Sequence, residues 1–258
     1  MEITVLAENT CKNGAFGTEH GLSLFIRTEN YTILFDMGQT NLFLENAEKM
    51  GIDLETVDFA VLSHGHYDHG GGLKAFLSIN PKAVVYANAN VFGSYYNAKE
   101  SYIGLDMSLK NNPRIVTISD FYEVAKGITI HSCKDKPKKY LFGSFGLKKA
   151  KGLQMVEDDF CHEQYLCVEE KGKRFVFSGC AHKGILNILD WFHPDVFIGG
   201  FHFSKISDTT LLDGYASSLN QYNAGYYTCH CTGEEQFQYM QQKMSHLFYL
   251  SCGETIVL

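Results

Sequence analysis

Apolar residues in this chain come in short runs, each closed by a polar or glycine-bearing stretch. Residues 3–7, 23–27 and 32–35 are apolar or alternating over too few positions for a helix, and they predict strands. Thr40 is placed to cap a helix running to Met50, in which Leu42, Phe43, Ala47 and Met50 recur at helical spacing and Gly51 is the stop. Residues 57–62 predict a buried strand, 73–79 a helix and 83–86 another strand. Residues 88–160 are the least periodic: Tyr95, Tyr96, Tyr102 and Met107 stand among Asn and Lys, which predicts an irregular insertion over a pocket. Order returns with strands at 165–168 and 174–178, joined through 169–173 by a hairpin turn containing Gly172. A helix (185–192), two strands (196–198 and 225–228), a helix (234–244) and closing strands (247–250 and 255–258) complete the pattern. The recurring unit is a strand, a His-bearing loop and a helix. Such units bring loops from both halves of the chain to one edge of a layered α/β fold, with two sheets inside and helices outside.

Composition changes this picture little. The 258 residues are 45% hydrophobic, with no linker or low-complexity tract, and predict one domain over residues 1–258. No stretch has the ~18 consecutive apolar residues of a membrane span. Met1-Glu-Ile-Thr-Val-Leu lacks the bases of a secretory leader, so a cytoplasmic location is expected. A net charge of −7 without a basic block argues against nucleic acid. The seven lysines between Lys134 and Lys151 read as a solvated loop, or alternatively as a rim that attracts an anion. Eight scattered cysteines without a C-x-x-C pair predict thiols, mostly packed as small hydrophobes. Nothing in the sequence sets an oligomeric state.

The chemistry is concentrated in His64-Gly-His66-Tyr-Asp68-His69, four metal-ligand side chains at the end of an apolar run and just before three glycines. Imidazole and carboxylate donors suit zinc, iron(II) or manganese. His64 and His66 can face one ion, and Asp68 and His69 a second. Four ligands are too few for two ions, so others must come from His162, Cys180, His182, His202 and His230. His20, His131, His193 and His246 lack a glycine-rich or strand-end setting and are expected not to ligate.

Residues 62–70, Leu-Ser-His-Gly-His-Tyr-Asp-His-Gly, resemble the signature of the metallo-β-lactamase fold superfamily. Ile33-Leu-Phe-Asp36-Met-Gly38 resembles its early strand ending in Asp-x-Gly. Ser178-Gly-Cys-Ala-His-Lys-Gly184, Gly199-Gly-Phe-His202 and His230-Cys-Thr-Gly233 resemble a narrower branch, named for a dihydropterin ribofuranosylaminobenzene phosphate synthase. The resemblance spans nearly the whole chain. It implies an αββα four-layer sandwich with a dinuclear site between the sheets. His64, His66, Asp68, His69 and His230 would be metal ligands, and Asp36 would fix a ligand imidazole by hydrogen bonding. Two positions depart from the superfamily pattern. Gly179-Cys180 stands where most members have Gly-Asp with a bridging Asp, so Cys180, His182 or both take that place. The usual histidine before the hairpin falls at His162, with Asp159 and Glu163 as rivals. Asp68 and His202 are the candidate catalytic residues, His202 to orient substrate or donate a proton.

The expected function is a hydrolase with two divalent cations, zinc first and iron or manganese as alternatives, using a metal-bound hydroxide on a small, anionic, phosphoester-like substrate. The alternatives are a pterin-linked synthase that releases pyrophosphate and a non-enzymatic metal-binding sensor.

Overall fold

Side-chain alternation decides the layering. Ile3, Val5, Leu24, Ile26, Ile33, Phe35, Phe59 and Val61 point into one apolar cluster, while Leu6, Phe25, Leu34 and Ala60 on the same segments point into another. Strands covered on both faces read as continuous apolar runs, which explains why they were visible in the sequence.

The computed structural model describes residues 1–12 and 14–258. In chain order it contains β1 (Glu2–Ala7), β2 (Ser23–Arg27), β3 (Thr32–Phe35), α1 (Leu42–Lys49), β4 (Phe59–Val61), α2 (Tyr67–Gly70), α3 (Leu73–Ile79), β5 (Val84–Asn88), β6 (Tyr95–Tyr96), β7 (Ile115–Ile118), β8 (Phe121–Ala125), β9 (Ile128–His131), β10 (Lys148–Lys151), β11 (Gln154–Glu157), β12 (Tyr165–Glu170), β13 (Lys173–Ser178), α4 (Ile185–Phe192), β14 (Val196–Gly199), α5 (Thr209–Leu219), β15 (Gly225–Thr228), α6 (Glu234–Gln241), β16 (Leu247–Tyr249) and β17 (Thr255–Val257).

Two seven-stranded sheets carry the fold, ordered β17-β1-β2-β3-β4-β5-β7 and β16-β15-β14-β13-β12-β9-β8. In the first, pairing is antiparallel as far as β3 and parallel beyond it. In the second, β8, β9, β12 and β13 are antiparallel and β13 to β16 are parallel. One apolar cluster lies between the sheets, one joins the first sheet to α1 and α3, and one joins the second to α4, α5 and α6. The architecture is an αββα sandwich. No helix among the described residues is long and apolar enough to cross a membrane.

Two expectations need correction. Residues 88–160 are not irregular throughout. β7 is the edge of the first sheet, β8 and β9 belong to the second, and β6, β10 and β11 form a small third sheet. β7, β8 and β11 are short and largely exposed, so the apolar alternation that betrays a buried strand is weak in them, while β9 alternates over only four residues. The helix α5 was not foreseen. Gly214 sits inside it and only Leu212, Ala216 and Leu219 are buried, a stripe too thin to announce itself, although Asp208 caps its first turn by accepting from Thr210 and Leu211 N–H.

Candidate metal centre

Parallel strands deliver their C-terminal ends to one edge of the sandwich, and loops leaving β3, β4, β13, β14 and β15 meet there. Each loop turns sharply. Asp36, Ala181, His202 and His230 all take left-handed backbone angles, φ +59°, +50°, +59° and +49°. Non-glycine residues rarely adopt this region, and such strain concentrates at functional sites.

Asp36 is the hub of the first sheet's loops. Its Oδ1 accepts from Ser63 N–H, and its Oδ2 accepts from Ser63 Oγ and His69 Nδ1, each at 2.7 Å. Ser63 Oγ, its proton committed to Asp36, accepts in turn from His64 Nδ1 at 2.8 Å. Gly179 makes this packing possible, because a Cβ there would stand 2.2 Å from Ser63 Oγ. From the second sheet, His230 Nδ1 donates to Asn9 Oδ1 at 2.8 Å. These bonds hold the Nδ1 protons of His64, His69 and His230, so their Nε2 atoms carry lone pairs.

Those lone pairs face other acceptors. His69 Nε2 lies 3.2 Å from His230 Nε2 and 3.2 Å from Cys180 Sγ, and His230 Nε2 lies 3.3 Å from Asp68 Oδ2. In a neighbouring cluster His64 Nε2 lies 3.4 Å from His182 Nε2, while His66 Nε2 and His182 Nδ1 are buried without a hydrogen-bond partner. Two lone pairs at that separation repel unless something positive sits between them. Ligands at ~2.0–2.1 Å around a tetrahedral cation stand about 3.3–3.4 Å apart. The donor set of both clusters therefore fits a divalent cation. His64, His66 and His182 offer one position, and Asp68, His69, Cys180 and His230 another.

Electrostatics divides the ligands: His64, His66 and His182 are held neutral, whereas His69 is held protonated and Cys180 as a thiol, so a cation would have to displace their protons. Burial, reinforced by neighbouring imidazoles, holds His64 and His182 well below the usual histidine range, and burial with His162 brings His66 down to about 3. Burial also opposes charge on His69, but Asp68 and Asp36 outweigh it and raise its pKa to about 9. Burial disfavours ionised Asp68, yet His69, His20 and His230 hold its carboxyl well below the ordinary range. At Cys231 burial is again overcome, here by the Cys180 thiol, His202 and His230, and the thiol is held well below its usual range.

The segment before the hairpin departs from expectation. His162 has both nitrogens engaged, Nδ1 accepting from Gly65 N–H at 2.9 Å and Nε2 donating to Asp158 Oδ2 at 3.0 Å. It braces the loop and has no nitrogen left for a cation. Asp159 is exposed and pairs with Lys149 at 2.5 Å. Glu163 is fully buried and spends its carboxylate on structure: Oε1 accepts from His182 N–H at 2.7 Å, and Oε2 from Lys183 N–H at 3.0 Å and Tyr165 Oη at 2.6 Å. Cys180 and His182 both reach the centre, one on each cluster.

His202 lies against His182, ring centroids 4.4 Å apart and planes tilted by 57°, and its nitrogens have no hydrogen-bond partner. It shares a cavity of about 240 Å³ with Asp68, His182 and His230. No lysine between Lys134 and Lys151 lines that cavity. Lys139, Lys148 and Lys149 pair with Asp190, Glu100 and Asp159 instead. The lysine that does line it is Lys205.

Sequence reasoning missed Glu8, Asn9, His20 and Cys231. Glu8 Oε1 accepts from His230 N–H at 2.6 Å, and His20 Nε2 stands 3.3 Å from Asp68 Oδ2. Glu8 and Asn9 do follow an apolar strand, the signal used for the other loops, but they carry no histidine. Ser63 offers a direct test of the relay. Ser63→Ala removes the bridge from Asp36 to His64, and cation affinity measured by chelator competition should fall about 10–100-fold, the usual cost of losing such a support.

A family model described as the metallo-beta-lactamase superfamily matches residues 17–218. An uncharacterized protein of Methanocaldococcus jannaschii is 28% identical, over 98% of this chain and 99% of its own length. The same organism's 7,8-dihydropterin-6-methyl-4-(beta-D-ribofuranosyl)-aminobenzene-5'-phosphate synthase is 26% identical, over 99% and 96%. A solved structure described as Tm1679, a metal-dependent hydrolase of the beta-lactamase superfamily, superposes with a TM-score of 0.85 at 29% identity, covering 100% of this chain and 99% of that one. Zn(2+)-bound PqqB from Methylobacterium extorquens shares the fold, with a TM-score of 0.62 at 12% identity over 100% of both chains.

Proposed function

Because the chain belongs to the metallo-beta-lactamase superfamily and is an enzyme of that fold, we propose that it is a hydrolase of small anionic esters that works with two divalent cations, zinc foremost. The reading treats residues 1–258 as one domain acting in the cytoplasm. The observation that carries it is the pair of facing imidazole lone pairs, His69 against His230 at 3.2 Å and His64 against His182 at 3.4 Å. Bound there, divalent cations supply Lewis-acid polarisation of a carbonyl or phosphoryl oxygen and a lowered pKa for water.

The chain's own residues do the rest. His64, His66 and His182 would hold one cation, and Asp68, His69, Cys180 and His230 the other. Asp36, Ser63 and Asn9 keep the ligand imidazoles aimed by holding their Nδ1–H groups. His202, on the cavity wall with unpartnered nitrogens, is placed to orient substrate or pass a proton to the leaving group. Lys205 is the cation available at the rim for an anionic group. A cavity of about 240 Å³ admits the reacting end of a substrate and leaves any bulky remainder outside.

Turnover measured on phosphodiester, lactone and thioester panels, with Zn²⁺ or Mn²⁺ and after chelation, tests this. Activity that is lost to chelator and restored by metal is expected. Equal turnover without metal, or none on any panel member by the loaded protein, would overturn it. The synthase relative favours a second reading, pterin-dependent release of pyrophosphate. A pyrophosphate-release assay with a pterin diphosphate and an aminobenzene ribose phosphate separates the two.

A further inference from the structure

The cysteine beside His230 has no part in the scheme above, yet it sits at the same place. Cys180 Sγ, a ring nitrogen of His230 and Cys231 Sγ all lie within 4.8 Å of one another. Both cysteines are buried free thiols. The Cys231 sulfur donates a weak hydrogen bond to Cys180 O at 3.7 Å, and the Cys180 sulfur, His202 and His230 stand beside it. Its place is kept open by Gly200, where a Cβ would stand 2.3 Å from Cys231 Sγ. Cys229, two residues earlier, shows what a packed thiol looks like in the same loop. It is fully buried in the apolar cluster between the sheets.

We infer that Cys231 is a second sulfur ligand of the cation held at Asp68, His69 and His230, beside Cys180, so that this position selects zinc or iron(II) over magnesium or manganese. Cys180 is already in place, 3.2 Å from His69 Nε2, near the ~3.5 Å separation of a nitrogen and a sulfur sharing a tetrahedral cation. Thiolates favour zinc and iron, whereas magnesium and manganese prefer an oxygen shell. A sulfur pair next to Asp68 also concentrates negative charge at one position, while the His64, His66 and His182 position stays all-nitrogen. The two positions are therefore chemically unequal.

The inference rests on the metal-enzyme reading, but its test reads binding without turnover, so the two can fail separately. Metal-free protein is prepared anaerobically and titrated with Co²⁺, and the near-ultraviolet sulfur-to-cobalt charge-transfer band is recorded per bound cobalt. The wild-type protein should show a strong band. Cys180→Ser and Cys231→Ser should each lose about half of it, and the double variant all of it. Cys229→Ser controls for a buried thiol lost from the same loop and should keep the band. Because intensity is read per bound cobalt, a less stable variant still reports. Zn²⁺ should displace Mn²⁺ far more readily from the wild type than from the double variant. Full intensity in Cys231→Ser, no band in the wild type, or a Cys180–Cys231 disulfide in the protein as isolated would each overturn the inference.

Discussion

His69→Ala is expected to lower cation affinity by about 10²–10³-fold and to take turnover down with it. Structural zinc sites bind with about 10–16 kcal/mol, so one of four or five ligands carries about 2–4 kcal/mol. His69 Nε2 faces His230, Cys180 and Asp68 together. The substitution also strips Asp36 Oδ2 of one of its donors, leaving a buried carboxylate with Ser63 alone, which costs about 1–3 kcal/mol of stability. Asparagine separates the two effects. Its amide N–H can still reach toward Asp36, so His69→Asn should recover most of the stability and little of the affinity. Metal content after dialysis, kcat/KM and urea unfolding measure the three quantities. Near-wild-type metal content in His69→Ala would remove this residue from the centre.

The second large effect lies farther from the chemistry. Glu163→Ala should destabilise the fold by about 3–5 kcal/mol, a large part of the ~5–15 kcal/mol that holds a domain together. Its carboxylate accepts from His182 N–H, Lys183 N–H and Tyr165 Oη, all in the interior. Alanine leaves those donors unsatisfied. It also removes the anion that works against burial at Lys183, whose ammonium is pushed down by its surroundings and held by Ser132 O and Glu163 O. Glu163→Gln keeps an acceptor and should cost about half as much. Because the loop it pins carries His182, the alanine variant should also lose affinity at the His64, His66 and His182 position before it loses the other. An unfolding midpoint unchanged in Glu163→Ala would contradict this role.

These effects show what a linear sequence reveals. The segment from His64 to His69 is legible because its ligands are contiguous, so spacing alone carries the chemistry. β2, β3, α3, α4 and β15 are legible to the residue because burial on both faces, or a wide apolar stripe, leaves one pattern possible. Of the supports, only Asp36 is marked, by its Asp-x-Gly resemblance. Glu8 and Glu163 share its job of pinning a ligand loop by backbone N–H groups, yet Glu8 lies 222 residues from His230. His162 and Glu163 are candidates because they stand where the superfamily's histidine precedes the hairpin, and position in the chain does not reveal the hydrogen bonds that engage them. The left-handed turns at Ala181, His202 and His230 leave no mark either, since glycine, the residue that advertises such angles, is absent there.

Neither cluster belongs to one sheet. His64 and His66 hang from the first and His182 from the second, and Asp68 and His69 meet Cys180, His230 and Cys231 in the same way. A cation seated in either cluster would clasp the two sheets together at one edge of the sandwich. The layers cannot part without expelling it, so occupancy ties the halves into a single cooperative unit. Resistance to proteases should then rise with metal occupancy, because cleavage tracks the population of the opened state.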